Sequence, residues 1–240
     1  VRPAVVFGDT DIVDDEGNII LRDKIPTESH KGADGVVANI VSLCRSLMEK
    51  TNLTADDLVG VGIGVPGMID SQKGEVIYSN NLGWKDFSIS EKVSAALGLP
   101  VRIANDANVA ALGETKFGCG KDYQNSVMIT LGTGVGSGIV IDGKLLHGAH
   151  GSGAEIGHMV LNKNETAVCG CGKRGCVEQY CSATGIARLT RLALEGTDTP
   201  STLRDLDKVV AKDVFDAAKA GDALASEVLE QVYAYMGQFI

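Results

Sequence analysis

Glu155-Ile-Gly-His158, followed after ten intervening residues by Cys169-Gly-Cys171-Gly-Lys-Arg-Gly-Cys176, is the stretch on which the fold assignment turns. It puts one imidazole and three thiols at metal-ligand spacing. Three thiolates and an imidazole, here His158, Cys169, Cys171 and Cys176, make a closed four-coordinate structural zinc site. Gly170, Gly172 and Gly175 let so short a loop wind tightly around an ion. The plainer alternative is a set of unrelated buried thiols, since free Cys packs as a small hydrophobe. Three of the chain's six cysteines fall within eight residues, which speaks against it. His147 and His150 are weaker alternative ligands, and Cys181 is a competing fourth thiolate.

Outward from this loop, composition narrows the class. With 240 residues the chain has room for two ordinary domains or one large one. A hydrophobic fraction of 44% is enough to build a packed core. No apolar run reaches membrane-spanning length, and no secretory signal is visible, so a cytoplasmic protein is expected. Cysteines clustered for metal, with Cys44 and Cys119 elsewhere, suit a reducing compartment. A net charge of −9 argues against nucleic acid as a partner, because phosphate contacts need clustered Lys and Arg. A small-molecule ligand fits better.

Along the chain, Val5-Val6-Phe7 and Ile19-Ile20-Leu21 read as strands around the turn residues Asp14 to Gly17. Val36, Val37, Ile40, Val41, Cys44, Leu47 and Met48 recur at helical spacing. Leu58 to Val65 reads as a buried strand ending at Pro66-Gly67. Ser88 with Glu91 reads as a capping box for a helix that Gly98 ends. Val101 to Ala104 is the next strand, with Asn105-Asp106 at its carboxyl end. Ser126 to Leu131 and Gly136 to Ile141 form strands around Gly132-Thr-Gly134, and Asp142-Gly143 turns into a third. The last segment carries Leu224, Val228, Leu229, Val232, Tyr235, Met236 and Phe239 on one helical face and runs to Ile240 without a capping signal. Strands alternating with helices indicate an α/β fold. A boundary near Gly118–Gly120 divides it into residues 1–118 and a second domain, 119–240, that looks cut off in mid-element.

Four constellations could carry chemistry. Gly132, Gly134, Gly136 and Gly138 alternate in Leu131 to Gly138, which leaves backbone N–H groups open to bind phosphate oxygens. It is neither a P-loop, lacking the Lys, nor a dinucleotide fingerprint, lacking the following helix. A bare glycine hairpin is equally compatible. Asp106 lies where ligands bind in α/β proteins and could accept a proton from a substrate hydroxyl, or it could simply cap the next helix. Asn80-Asn81-Leu-Gly-Trp84 sets amides beside an aromatic, suited to a sugar or to mere packing. Glu155 and Glu178 flank the cysteine loop, as pocket residues or as solvated charges.

Together, Gly64-Val-Pro-Gly67, Asn80-Asn81-Leu-Gly-Trp84, Asn105-Asp106-Ala-Asn108, Leu131-Gly-Thr-Gly-Val-Gly136, Glu155-Ile-Gly-His158 and the cysteine loop through Glu178 resemble, in order, the ROK sugar kinases. Within that family they are most similar to the bacterial ATP-dependent glucokinases. The resemblance runs from roughly Gly17 to Ile240. It implies an actin-like ATPase (ribonuclease H-like) fold with two α/β domains around a central cleft. It also implies ATP-dependent phosphorylation of glucose at the 6-hydroxyl, with Asp106 as general base. Gly67, Asn81, Asn105, Glu155, His158 and Glu178 would hold the sugar, with His158 also on the structural zinc. Gly132, Thr133 and Gly134 would cradle the ATP phosphates, with Mg²⁺ bridging them. Dimers or tetramers are implied too. A kinase for N-acetylmannosamine or another hexose, and a non-catalytic sugar-binding sensor, are the rival readings.

The head departs from the family pattern. A strand leading into Asp-x-Gly-Gly-Thr is expected as the first phosphate loop, and Phe7-Gly-Asp9-Thr10-Asp11 stands there with a single Gly. The family's adenosine-binding segment and closing helix would lie beyond Ile240.

Overall fold

The computed structural model describes residues 2–6 for their backbone, 9–149 and 151–240. Phe7 and Gly8 of the head, and the alternative ligand His150, lie outside the described residues. The chain divides into two compact units. The first is residues 1–128 with 138–154, so residues 119–128 and the arm returning after the glycine hairpin fall in it. The second is 129–137 with 155–240.

The first unit is built on β1 (Arg2–Val6), β2 (Asp9–Val13), β3 (Ile19–Lys24), α1 (Gly32–Thr51) and β4 (Val61–Val65). It continues through β5 (Met68–Asp70), β6 (Glu75–Ser79), β7 (Trp84–Phe87), α2 (Ile89–Leu97), β8 (Val101–Asn105) and α3 (Asp106–Phe117). Its main sheet has the order β3-β2-β1-β4-β8, and β2 alone runs against the other four strands. The helical spacing read over Val36 to Met48 forms α1, which buries Val36, Val37, Ile40, Val41, Leu43, Cys44 and Leu47. Leu47 is 1% exposed, and truncating such a side chain to Ala costs about 2–5 kcal/mol. β5, β6 and β7 form a second, antiparallel sheet whose Ile69, Val76 and Trp84 join the same core.

One local expectation, the capping box, is corrected here, and two readings left open are narrowed. Asp14 to Gly17 joins β2 to β3, and Asp9, Thr10 and Asp11 of the departing head belong to strand β2. Thr10 and Ile12 point inward with the period of two that a strand requires, and Asp11 takes a two-pronged ion pair from Arg22 at 2.6 and 2.8 Å. The Ser88–Glu91 capping box does not form: the Ser88 hydroxyl donates instead to Glu75 at 3.0 Å, a tertiary partner that outcompetes the local one. Gly98 does end that helix, at φ 70°. Trp84, 4% exposed, packs against Phe87 in the core and offers no platform to a ligand.

β9 (Ser126–Leu131), β10 (Val135–Ile141) and the short β11 (Lys144–Leu145) make a three-stranded sheet in the order β11-β10-β9. The second unit then folds as α4 (Glu178–Cys181), α5 (Ala183–Gly196), α6 (Ala211–Lys219) and α7 (Ala223–Phe239) around its own core. The face read over the last segment buries Leu224, Val228, Leu229 and Val232. Cys181, 1% exposed, is part of that core. No described helix is long and apolar enough to cross a membrane.

Candidate active site and metal loop

In the first unit, β4 and β8 are adjacent parallel strands with Val65 opposite Asn105. Their carboxyl ends bring Gly67 and Asn105-Asp106 together, the position at which α/β sheets present ligand-binding residues. The Asn105 side chain works at both ends. Its Oδ1 accepts from the amides of Ala107 and Asn108 at 3.0 and 3.3 Å, and its Nδ2 donates to the Gly67 carbonyl at 3.1 Å. Gly67 has φ 117°, and a Cβ there would fall on the Tyr78 carbonyl, so only Gly lets the turn close this tightly.

Asn105 is therefore the N-cap of α3, and the cap reading of Asp106 is corrected. Asp106 is the first helical residue and is exposed. Its Oδ1 accepts from Ala107 N at 2.9 Å, while its Oδ2 has no hydrogen-bond partner among the described residues. Asn81 is exposed in the turn between β6 and β7.

In the second unit three motifs meet on Val135. Its N–H donates to Glu178 Oε2 at 3.1 Å. Its carbonyl lies where a Cβ on Gly157 would fall, which is why the Glu-Ile-Gly-His turn needs Gly at its third position. Ile156 N donates to Ser137 Oγ at 3.3 Å, fixing the same turn against β10. Glu155 is exposed at the head of that turn, and His158 is half-buried at its end. A Cβ on Gly134 would meet Glu178 Oε2 and push that carboxylate off the Val135 amide.

The ligand atoms of His158, Cys169, Cys171 and Cys176 all lie within 4.8 Å of one another. The His158 nitrogen facing the thiols is Nδ1, 3.8 Å from Cys169 Sγ, and Cys171 Sγ is 3.7 Å from Cys176 Sγ. A tetrahedron with zinc–sulfur bonds of about 2.3 Å has sulfurs about 3.8 Å apart. The four residues thus fit a tetrahedral cation, and neither His147 nor Cys181 belongs to the group. Burial, with the neighbouring thiols, pushes Cys176 up to about 12. Burial also raises Cys169, whereas for Cys171 the opposing effect of burial is outweighed by the Lys173 amide and the adjacent thiols. Holding all three as thiolates calls for a cation at their centre. Glu178 adjoins the group, with Oε1 3.8 Å from Cys169 Sγ.

The loop is braced from outside by residues that sequence reasoning missed. Gln179 Oε1 accepts from Gly175 N and Cys176 N at 2.8 and 3.1 Å, and its Nε2 donates to the Ala167 carbonyl at 3.1 Å. Glu165 Oε2 accepts from the Tyr180 hydroxyl at 2.6 Å and from Arg188 at 2.8 Å, and Oε1 from Ala167 N at 2.9 Å. The Tyr180 hydroxyl above all holds the Glu165 carboxyl down at about 2. No sequence motif signals these partners, which come together only in the folded unit.

Gly132 and Gly134 form a tight turn, Gly132 N donating to Gly134 O at 3.0 Å. Beside Thr133 opens a groove of about 640 Å³, lined among others by Thr184, Ala187, Arg191, Leu203 and Lys208. Small-molecule sites span about 300–1,000 Å³. It has no counterpart in any sequence motif, because α5 and the segment around residues 203–211 supply its walls.

The ROK family profile matches residues 8–240. A glucokinase of Halalkalibacterium halodurans is 40% identical over 224 residues, 92% of this chain and 68% of that protein. A ROK family glucokinase from Streptomyces griseus, solved with glucose and AMPPNP, superposes with a TM-score of 0.79 at 32% identity, over 98% of this chain and 75% of the other. A ROK family transcriptional regulator, homologous to the Escherichia coli MLC protein, gives 0.82 at 30% identity, over 98% of this chain and 59% of that one.

Proposed function

The chain belongs to the ROK family, with its actin-like ATPase fold, and we propose that it is a hexokinase-type kinase transferring the γ-phosphate of ATP to the 6-hydroxyl of glucose. One observation carries the reading: Asn105 caps α3, and Asp106 keeps a carboxylate oxygen open at the carboxyl end of β8. A sugar hydroxyl is a poor nucleophile. Asp106 takes its proton as the oxygen bonds to the γ-phosphorus, the bond to the β-phosphate oxygen breaks, and ADP leaves. Such general-base assistance is worth about 10²–10⁴-fold. The remainder of the rate comes from positioning and charge neutralisation.

Resemblance to the family assigns Gly67, Asn81 and Asn105, and likewise Glu155, His158 and Glu178, to the sugar's other hydroxyls. The N–H groups of Thr133 and Gly134, in the turn closed by Gly132, donate to phosphate oxygens, and the groove beside Thr133 takes the nucleoside. Mg²⁺, when bound, would neutralise charge on the phosphates. His158 Nδ1 and the thiolates of Cys169, Cys171 and Cys176 would hold zinc, which would order the loop and leave the imidazole's other nitrogen for the sugar.

A second reading, a sugar-binding sensor without turnover, is favoured by the head. Thr10 is buried in β2 and Asp11 is committed to Arg22, so neither is offered to a phosphate. A coupled ADP-release assay with glucose beside N-acetylmannosamine separates these readings. Turnover of glucose in preference to the aminosugar is expected. Preference for N-acetylmannosamine would overturn the substrate, and glucose binding without turnover of either sugar would establish the sensor.

A further inference from the structure

The turn at Gly132–Gly134 is held by its carbonyls. Ala183 N, at the start of α5, donates to the Gly132 carbonyl at 2.9 Å, and Thr184 Oγ1 donates to the Thr133 carbonyl at 2.8 Å. A trans peptide is planar, with C=O and N–H pointing opposite ways. Anchoring those two carbonyls toward α5 turns the N–H groups of Thr133 and Gly134 away from it. Neither N–H has an acceptor among the described residues. The anchor is itself fixed. Ser182 Oγ accepts from Gly185 N at 2.9 Å as the cap of α5 and lies 3.0 Å from the Thr184 hydroxyl. It also bonds the Glu178 carbonyl at 2.6 Å.

We infer that Thr184 is a positioning residue for the phosphoryl donor: its hydroxyl sets the plane of the Thr133–Gly134 peptide so that the Gly134 N–H is presented to a phosphate oxygen. This rests on the reading of Gly132 to Gly134 as a phosphate cradle. No motif singles Thr184 out, because its partner stands 51 positions away in the chain.

The test is calorimetric titration of the protein with Mg-AMPPNP, Mg-tripolyphosphate and glucose. Thr184→Val keeps the side chain's shape and removes the hydroxyl, and Thr184→Ser keeps the hydroxyl. In Thr184→Val both phosphate ligands are expected to bind about fivefold more weakly, the worth of one neutral hydrogen bond. Glucose affinity stays as in the parent, the thermal midpoint falls by no more than the loss of one hydrogen bond allows, and Thr184→Ser restores phosphate binding. Unchanged AMPPNP binding in Thr184→Val overturns the inference. So does a loss seen with AMPPNP but not with tripolyphosphate, which would mean that the hydroxyl touches the nucleoside. Thr184→Ala serves in the same way should Val fail to fold.

Gly132→Ala tests the underlying reading separately. A Cβ on Gly132 meets nothing within 4 Å, so the fold accepts it, but it would obstruct a phosphate lying on the turn. Full phosphate affinity in Gly132→Ala sinks the cradle itself, whereas weakening there with none in Thr184→Val sinks only the role of Thr184.

Discussion

The Val135 amide donates to the Glu178 carboxylate at 3.1 Å, and the carbonyl of the same Val135 bears directly on Gly157. One residue of β10 thereby fixes the distance between the glycine turn, the Glu-Ile-Gly-His turn and the start of α4. Three motifs far apart in the chain are one device in space.

Gly157→Ala is expected to break that device. The new Cβ would fall on the Val135 carbonyl, and overpacking a tight contact costs about 1–3 kcal/mol. Because the displaced turn carries Glu155 and His158, glucose affinity should fall together with the unfolding midpoint. Urea unfolding and glucose titration measure the two. A variant with the parent's stability and affinity would contradict the close approach.

Glu165 predicts a pH dependence. The Tyr180 hydroxyl first, then the Ala167 amide and Arg188, hold its carboxyl down at about 2 in the folded protein. The unfolded value is about 4.3. A depressed folded value contributes stability that is complete above the unfolded value and is lost as pH falls toward about 2. Thermal unfolding between pH 7 and pH 3 should therefore show a loss that is absent in Glu165→Gln. At neutral pH that variant should be less stable by about 2 kcal/mol, the worth of hydrogen bonds to a charged group. Parallel pH profiles for the two proteins would remove Glu165 from the bracing of the metal loop.

Cys171→Ser leaves three of four ligands and is expected to lower bound zinc well below one per chain. The thermal midpoint falls with it, since metal affinity at such a site is folding free energy. Elemental analysis of the purified protein reads the first effect and calorimetry the second. Stoichiometric zinc in the variant would show that the cluster is not the site.

Much of this was legible in the residues, and what was not has physical reasons. The ligand set could be read because spacing within a short loop is local information, and the α1 and α7 faces because helical periodicity is local too. Asn105-Asp106 could be located at a strand end but not apportioned, since both residue types cap helices and only the fold decides which side chain reaches the amides of Ala107 and Asn108. The Ser88–Glu91 pair had the right spacing and lost to Glu75, a partner supplied by another element. β2 escaped notice because charged residues alternate with buried ones in a segment that resemblance marked as a loop. Glu165, Gln179 and Arg188 brace the metal loop through contacts of sequence-distant groups, which no motif spacing encodes.

The most direct test of the central claim is ADP release with glucose and Mg-ATP in the parent and in Asp106→Asn, with glucose affinity measured alongside. Losing the base should cost about 10²–10⁴-fold in turnover, while the variant still binds glucose. Turnover above about a tenth of the parent's, beyond what loss of a general base allows, would contradict the assignment of Asp106.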